Sequence, residues 1–474
     1  MTEEKQKVVV LGGGITGLAA AFYLQKEVKE KKLPVDVTLV EATHRVGGKI
    51  QTVMKDGFII ERGPDSFLAR KKSAARLAEE VGMADKLVSN TAGKSFVLAH
   101  ERLHPMPGGS IMGIPTEIRP FLTTRLFSFP GKMRAAADFF LPKSKIDGDQ
   151  SLGAFFRRRL GDEVVENLIE PLLSGIYAGD IDQLSLKATF PEFYNIEQKY
   201  RSLIVGMKRR KPVSTNKVPA KENKKGIFLA PVTGLQSFIE AIEAKLTPGS
   251  VLKGHRVEKV HKGQQGYNIE LGDGQMIPAD AVISALPHVV LKNVFSQYSF
   301  FDVFENMPAT TVATVALAFP LEAIEKDIDG TGFVVSRNSD YTITACTWTH
   351  RKWPHACPEG KVLLRCFIGK PGDETIVELS DDEIVRTILG DLNKIMNIKQ
   401  EPEFAVISRW PDAMPQYTVG HVERIEQVFK RTKEELPGVF LAGSSFRGLG
   451  IPDCIDQGKA AAEDALQYLQ SIRQ

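Results

Sequence analysis

The chain has 474 residues, more than one hydrophobic core usually organises, so two or three lobes are expected. With 43% hydrophobic and 25% charged residues it has the material for a packed interior, which argues against long disordered stretches. Lys+Arg 61 against Asp+Glu 58 leaves a formal charge of only +3, which argues against nucleic acid as a partner.

Lys5 and Lys7 precede a largely apolar run over residues 8–24, as in a secretory signal. Gly12, Gly13, Gly14 and Gly17 interrupt that run where a signal needs continuous helix formers. No later segment reaches the ~18 apolar residues of a membrane span. Cys346, Cys357, Cys366 and Cys454 form no C-x-x-C pair, which suits a reducing compartment, and no metal site is expected. A cytoplasmic protein is the expectation.

In chain order, residues 8–11 read as a β-branched strand, 15–29 as a helix and 35–40 as a second strand ending at Glu41, one βαβ unit. Residues 73–203 read as mainly helical, with amphipathic pieces over 151–160 and 163–173. The basic stretch 199–225 reads as a solvated loop, with membrane-surface contact or attraction of substrate carboxylates as the alternatives. Strand patterns return at 256–261, 267–271 and 281–285, with Gly272-Asp273-Gly274 as a turn. Further strands at 310–319, 332–335, 341–349, 362–368 and 404–409 predict a second, mostly antiparallel sheet. A strand at 438–443 leads into a glycine-rich loop, and 457–469 reads as a terminal helix. The fold class is α/β: a discontinuous Rossmann-like domain (1–72, 226–298, 405–474), an inserted helical lobe (73–225) and a β-sheet substrate domain (299–404).

Gly12-x-Gly14-x-x-Gly17, with Gly13, Ile15 and Thr16 between, sits directly after a strand and opens a helix. In that setting the glycines allow a tight turn, close approach of backbone to a pyrophosphate, and close helix–sheet packing. The helix N-terminus supplies unpaired N–H groups to an anion. Glu41, a little over twenty residues on, suits a ribose diol and repels a 2′-phosphate, so NADP is disfavoured while NAD and FAD both stay open.

The run Glu41-Ala42-Thr43-His44-Arg45-Val46-Gly47-Gly48-Lys49, followed by Gly63-Pro64-Asp65-Ser66, resembles the second glycine motif of the monoamine oxidase and protoporphyrinogen oxidase flavoproteins. Residues 441–455, containing Gly443, Leu449, Gly450 and Ile451, resemble the closing flavin segment of the protoporphyrinogen and coproporphyrinogen oxidase family. The likeness continues through 166–180 and 285–287 and so spans essentially the whole chain. Many relatives carry Asp after the glycine at Gly443, where this chain has Ser444. The resemblance implies FAD as cofactor, Val257 at the adenine and Trp410 near the flavin. It implies a noncovalent link, since Cys454 does not occupy the attachment motif of monoamine oxidases.

The same likeness implies hydride transfer from a porphyrinogen meso carbon to flavin N5, reoxidation by O2 to H2O2, and three such rounds per porphyrin, with no catalytic side chain. The soluble Gram-positive members of the family imply coproporphyrinogen III as substrate, with protoporphyrinogen IX also accepted. Arg70, Lys71 and Lys72 are the candidate propionate partners, and Ile176 and Tyr177 candidate cavity residues. A downstream haem-pathway enzyme and peripheral membrane contact are further expected partners. An FAD amine oxidase, a carotenoid desaturase and a non-enzymatic flavin-binding scaffold are the competing readings.

Overall fold

The computed structural model describes residues 5–91, 93–146, 148–210 and 225–473. About half of the expected basic loop, residues 211–224, lies outside them; of its other cations, Lys208, Arg209 and Arg210 fall on the helix Leu203–Arg210 rather than on a loop, and Lys225 begins the strand Lys225–Pro231.

Five strands form one wholly parallel sheet: β1 (Gln6–Leu11), β2 (Val35–Glu41), β3 (Val251–Lys253), β4 (Ala281–Ser284) and β5 (Val439–Leu441), in the order β3-β2-β1-β4-β5. Val8 to Leu11 and all four residues of β4 are buried, the unbroken apolar text of strands covered on both faces. Helix α1 (Ile15–Lys31) packs beside α2 (Ile451–Arg473), buried over its first ten residues. The chain leaves β1 toward β2 on one side, while β4 lies on the other. That reversal is where open α/β sheets bind ligands, beyond the carboxyl ends of the strands.

A seven-stranded sheet forms the second layer system, built around the strand Ala309–Pro320, which pairs antiparallel with Lys361–Ile368 and Phe404–Pro415. Its period-2 text explains its position. Ala313, Val315, Leu317 and Phe319 join the core formed with Ile384, Ile388 and Leu392 of the helix Asp381–Met396, whereas Ala316 and Ala318 meet Phe58 and Ile60. All pairings in this sheet are antiparallel except that of Ser95–Ala99 with Gly332–Val335.

Two expectations are corrected. Residues 87–115 are not helical: Ser95–Ala99 and Arg102–Pro105 are outer strands of the seven-stranded sheet. Their hairpin turns on His100 and Glu101, both at positive φ, so the usual Asn-Gly signal is absent. The strand Phe404–Pro415 lies in this same sheet, as expected of 404–409, and runs on to Pro415. Between 341 and 349 only Ala345–Trp348 is strand, because the amides of Thr342 and Ile343 donate to the Asp391 carboxylate instead of a ladder.

Helices from Ile118 to Arg210 pack a phenylalanine-rich interior, with Phe155, Phe156 and Phe193 fully buried. Within it lies a fully buried ion pair, Arg159 Nε to Asp138 Oδ1 at 2.6 Å, completed by Ser202 Oγ and the Ile204 amide on Asp138 Oδ2. Such a pair is tolerated because its remaining donors and acceptors are met.

The hairpin Thr52–Lys55 and Phe58–Glu61 is tied to the helix Leu235–Glu243 by Glu61, whose carboxylate accepts from the Leu235 amide at 2.7 Å and Thr52 Oγ1 at 2.9 Å. Burial outweighs those bonds and pushes its pKa up to about 7. The folded state therefore holds this proton longer than the unfolded chain. Its linked stability is greatest in acid, falls as pH rises from about 5 to about 7, and is level above. Glu61→Gln should remove that slope from the pH profile of urea unfolding; an unchanged slope in the variant would contradict this account.

Candidate cofactor and substrate site

At the carboxyl edge of the parallel sheet, three strand ends are stitched side by side: Gly12 N to Val40 O at 2.8 Å, Ala285 N to Leu11 O at 2.8 Å, and Ala442 N to Ser284 O at 3.0 Å. The chain turns at Gly12 and enters α1 at Gly14, which caps the helix without any side-chain acceptor for its first amides. A Cβ on Gly17 would lie 1.9 Å from the Gly12 carbonyl oxygen, so only glycine fits. Around Gly14, by contrast, there is open space. Ile15 and Thr16 are buried and hold the first turn against the core.

Glu41 ends β2 beneath this turn. One carboxylate oxygen accepts from the Gly13 amide at 2.7 Å, and the other from Thr43 N and Oγ1, each at 2.8 Å. Ala42 is exposed beside it, and Val257, half-buried, begins a strand just past His255, whose amide bonds the Glu41 carbonyl.

The second glycine run folds onto the first. Gly47 N donates to Gly13 O at 2.7 Å, and a Cβ on Gly48 would lie 3.3 Å from Gly14 Cα. Arg45 directs its guanidinium to the carbonyls of Val46, Gly48 and Ile50, so it shapes this loop from within. Lys49 keeps an exposed side chain although the surrounding fold is close enough to desolvate its ammonium. Burial pushes its pKa down; it donates to the Ala413 carbonyl and has no carboxylate partner among the described residues.

Gly63 packs on the Lys49 backbone, and the carbonyl before it, Arg62 O, accepts from Trp410 Nε1 at 2.9 Å. Pro64 leads to Asp65, which turns away into an ion-pair network: Lys352 Nζ at 2.7 Å on one oxygen, Ser66 Oγ at 2.6 Å on the other. Burial alone would raise the Asp65 pKa, but Lys352 and Arg365 hold it well below the carboxylate range.

The closing segment 443–450 is held by residues that no local pattern marked. Tyr417, fully buried, donates its hydroxyl to Ser444 O at 2.6 Å and accepts from Gly448 N at 2.9 Å. Gln457 accepts from Gly443 N at 3.3 Å and donates to the carbonyls of Arg447 and Gly448. Ser445 accepts from the His288 amide. Gln457 had a faint signal, standing one turn beyond Asp453 in a helix that opens on the loop; Tyr417, some thirty residues upstream, had none. The terminal helix begins at Ile451 rather than at 457, with Pro452 acceptable in its first turn. Leu449 and Gly450 thus lie at the N-terminal end of α2.

A cavity of about 350 Å³ opens beside this segment, lined by Lys71, Tyr177, Lys187, His421, Phe446 and Arg447 among others. Of the five substrate candidates it gathers Lys71 and Tyr177. Arg70 and Lys72 are exposed elsewhere, and Ile176 is about half exposed beyond the lining. Lys71 is paired with Asp453 at 2.5 Å. His421 stacks on Tyr417 with centroids 4.0 Å apart, and burial lowers its pKa to about 4, leaving it neutral.

Residues 15–466 match the family described as flavin containing amine oxidoreductase. The chain is 57% identical to the coproporphyrinogen III oxidase of Bacillus subtilis (strain 168) over 99% of its own length and 100% of that protein. It is 46% identical to the coproporphyrinogen III oxidase of Staphylococcus aureus over 98% of its length and 100% of that protein. A crystal structure from Exiguobacterium sp. 255-15, provisionally named a protoporphyrinogen oxidase, superposes with a TM-score of 0.87 at 38% identity, covering 98% of this chain and 99% of that one. Two stacked glycine turns over a strand-end carboxylate, read with these likenesses, place the chain in the flavin-containing amine oxidoreductase family, on the branch of the coproporphyrinogen III and protoporphyrinogen oxidases.

Proposed function

We propose that this protein is an FAD-dependent oxidase that converts coproporphyrinogen III to coproporphyrin III in haem biosynthesis, accepts protoporphyrinogen IX as well, and passes electrons to dioxygen with hydrogen peroxide as product. The observation that carries the reading is 57% identity to a coproporphyrinogen III oxidase along the full length of both chains. The cradle around Gly14 supports FAD: open space at a helix start, a carboxylate beneath it, and in Lys49 a cation with no carboxylate partner among the described residues. When bound, FAD supplies the two-electron acceptor.

The chain's residues would hold the cofactor without a covalent link. Cys454, the thiol beside this space, is buried and its pKa is pushed up to about 11, which keeps it protonated and a poor nucleophile. The bare turn Gly12 to Gly14, with Gly17 letting the helix start lie close, would let the diphosphate approach the N-terminal end of α1, and Glu41 would use its spare lone pairs on the ribose. Gly47, Gly48 and Lys49 would cover the diphosphate and ribityl chain, and Leu449, Gly450 and Ile451 the ring. Lys71 and Tyr177 would face the porphyrinogen. The four free thiols suit a reducing cytoplasm.

No helix among the described residues is long and apolar enough to cross a membrane. Peripheral contact is supported at the helices Ile118–Thr123 and Phe129–Ala136, where Ile118, Leu122, Phe129 and Met133 are each more than half exposed. Arg119, Arg125, Lys132 and Arg134 stand among them, and the acid of residues 118–140, Asp138, is buried under Arg159. This pairing of apolar and cationic side chains fits an anionic bilayer.

Purified protein should show flavin absorbance and, under air, generate fluorescent porphyrin from coproporphyrinogen III. Flavin-loaded protein that oxidises neither porphyrinogen would defeat the functional reading. Glu41→Ala removes a charge-assisted acceptor and should weaken FAD retention about tenfold to a hundredfold, with far-UV circular dichroism unchanged; full retention would remove Glu41 from the site. The protein should sediment with phosphatidylglycerol vesicles but not with phosphatidylcholine vesicles, and Phe129→Asp should abolish this; equal sedimentation with both lipids would argue against an electrostatic membrane face.

A further inference from the structure

The cavity beside the closing segment holds three cations, and they are not equivalent. Lys71 is already neutralised by Asp453. Lys187, half-buried on the short helix Leu186–Thr189, and Arg447, exposed in the loop after Phe446, have no carboxylate within ion-pair reach among the described residues. The guanidinium of Arg447 stacks 4.6 Å from the ring centroid of Phe429, which orients the fork and leaves its in-plane N–H groups free to donate.

The remaining polar groups of the lining set the balance. Glu426 is exposed and unpaired; His421 is neutral because burial lowers its pKa; Tyr177 is protonated because burial raises its own. Setting aside the Lys71–Asp453 pair, two free cations stand against one rim carboxylate. The same lining includes the apolar Ile425 and Phe446 and the ring of Tyr177. Apolar side chains together with unpaired cations in one cavity fit a flat, greasy ring bearing carboxylates on flexible arms.

We propose that Lys187 and Arg447 anchor propionates of the porphyrinogen from two separate elements of the fold, and that they favour the four-propionate substrate over the two-propionate one. This rests on the function proposed above. A ring with four propionates presents acidic arms on more of its edge, so both anchors can engage at once. A ring with two adjacent propionates satisfies one anchor and leaves the other beside a vinyl edge. Glu426 opposes an arm placed next to it and so biases which edge enters.

The experiment is steady-state oxidation of coproporphyrinogen III and protoporphyrinogen IX at low ionic strength by the flavin-loaded wild type, Lys187→Gln, Arg447→Gln, the double variant and Glu426→Gln, with flavin absorbance checked for each. Fluorescence titration with coproporphyrin III adds a binding readout independent of turnover. In the double variant KM for coproporphyrinogen III should rise about fivefold to tenfold, since exposed charge-assisted contacts are worth less than buried ones. The rise for protoporphyrinogen IX should be clearly smaller, kcat should stay within about twofold for both, and added salt should shrink the gap. Glu426→Gln should shift KM the other way. A double variant that keeps flavin and shows wild-type KM and wild-type coproporphyrin affinity overturns the proposal, as does an equal rise for both substrates. Wild-type protein that oxidises neither porphyrinogen defeats the functional reading instead, and this inference with it.

Discussion

Backbone must touch backbone at the carboxyl edge of the parallel sheet, and most of the site follows from that requirement. The loop after β1 can enter α1 only because Gly17 leaves room for the Gly12 carbonyl, and the loop after β2 lies close on it because Gly13 and Gly48 carry no side chains. The result is a shelf of bare main chain above a strand-end carboxylate. Arg45 shapes the upper loop from within, and Lys49, exposed at the end of that loop, has no carboxylate partner among the described residues. A cation without a counter-ion there favours a negatively charged ligand beside the shelf.

Across the site, Tyr417 and Gln457 perform the matching task for the closing segment. That segment has few side chains able to hold its own shape, and its amides and carbonyls are met by a phenol and an amide from two other elements. Because Tyr417 also stacks on His421, a residue of the cavity wall, the closing segment and the cavity share one partition. Movement of that partition would reach both sides.

The parts of the fold that could be read directly are those whose determinants are local. Residues 6–41 formed the expected strand, helix and strand because an apolar run, four glycines and a terminal acid specify each boundary in place. The hairpin at His100 and Glu101 escaped notice because its positive φ values are imposed by neighbouring strands on residues that do not ask for them. Thr342 and Ile343 lost their strand to a carboxylate fifty residues away. Of the basic triplet after Asp65, only Lys71 reached the cavity, since adjacent residues point in different directions and sequence proximity does not choose among them.

The sequence by itself determined that two glycine turns meet over a strand-end carboxylate, where those glycines and that carboxylate lie, and which family's chemistry they resemble, because each of those features is a short-range pattern with a geometric necessity behind it. Only the tertiary structure decided which cations face the cavity, that Arg45 and Asp65 serve the protein's own framework, and that Tyr417 and Gln457 hold the closing loop. Those outcomes depend on which side chains from distant elements reach the same few ångströms, and no stretch of sequence holds that distance.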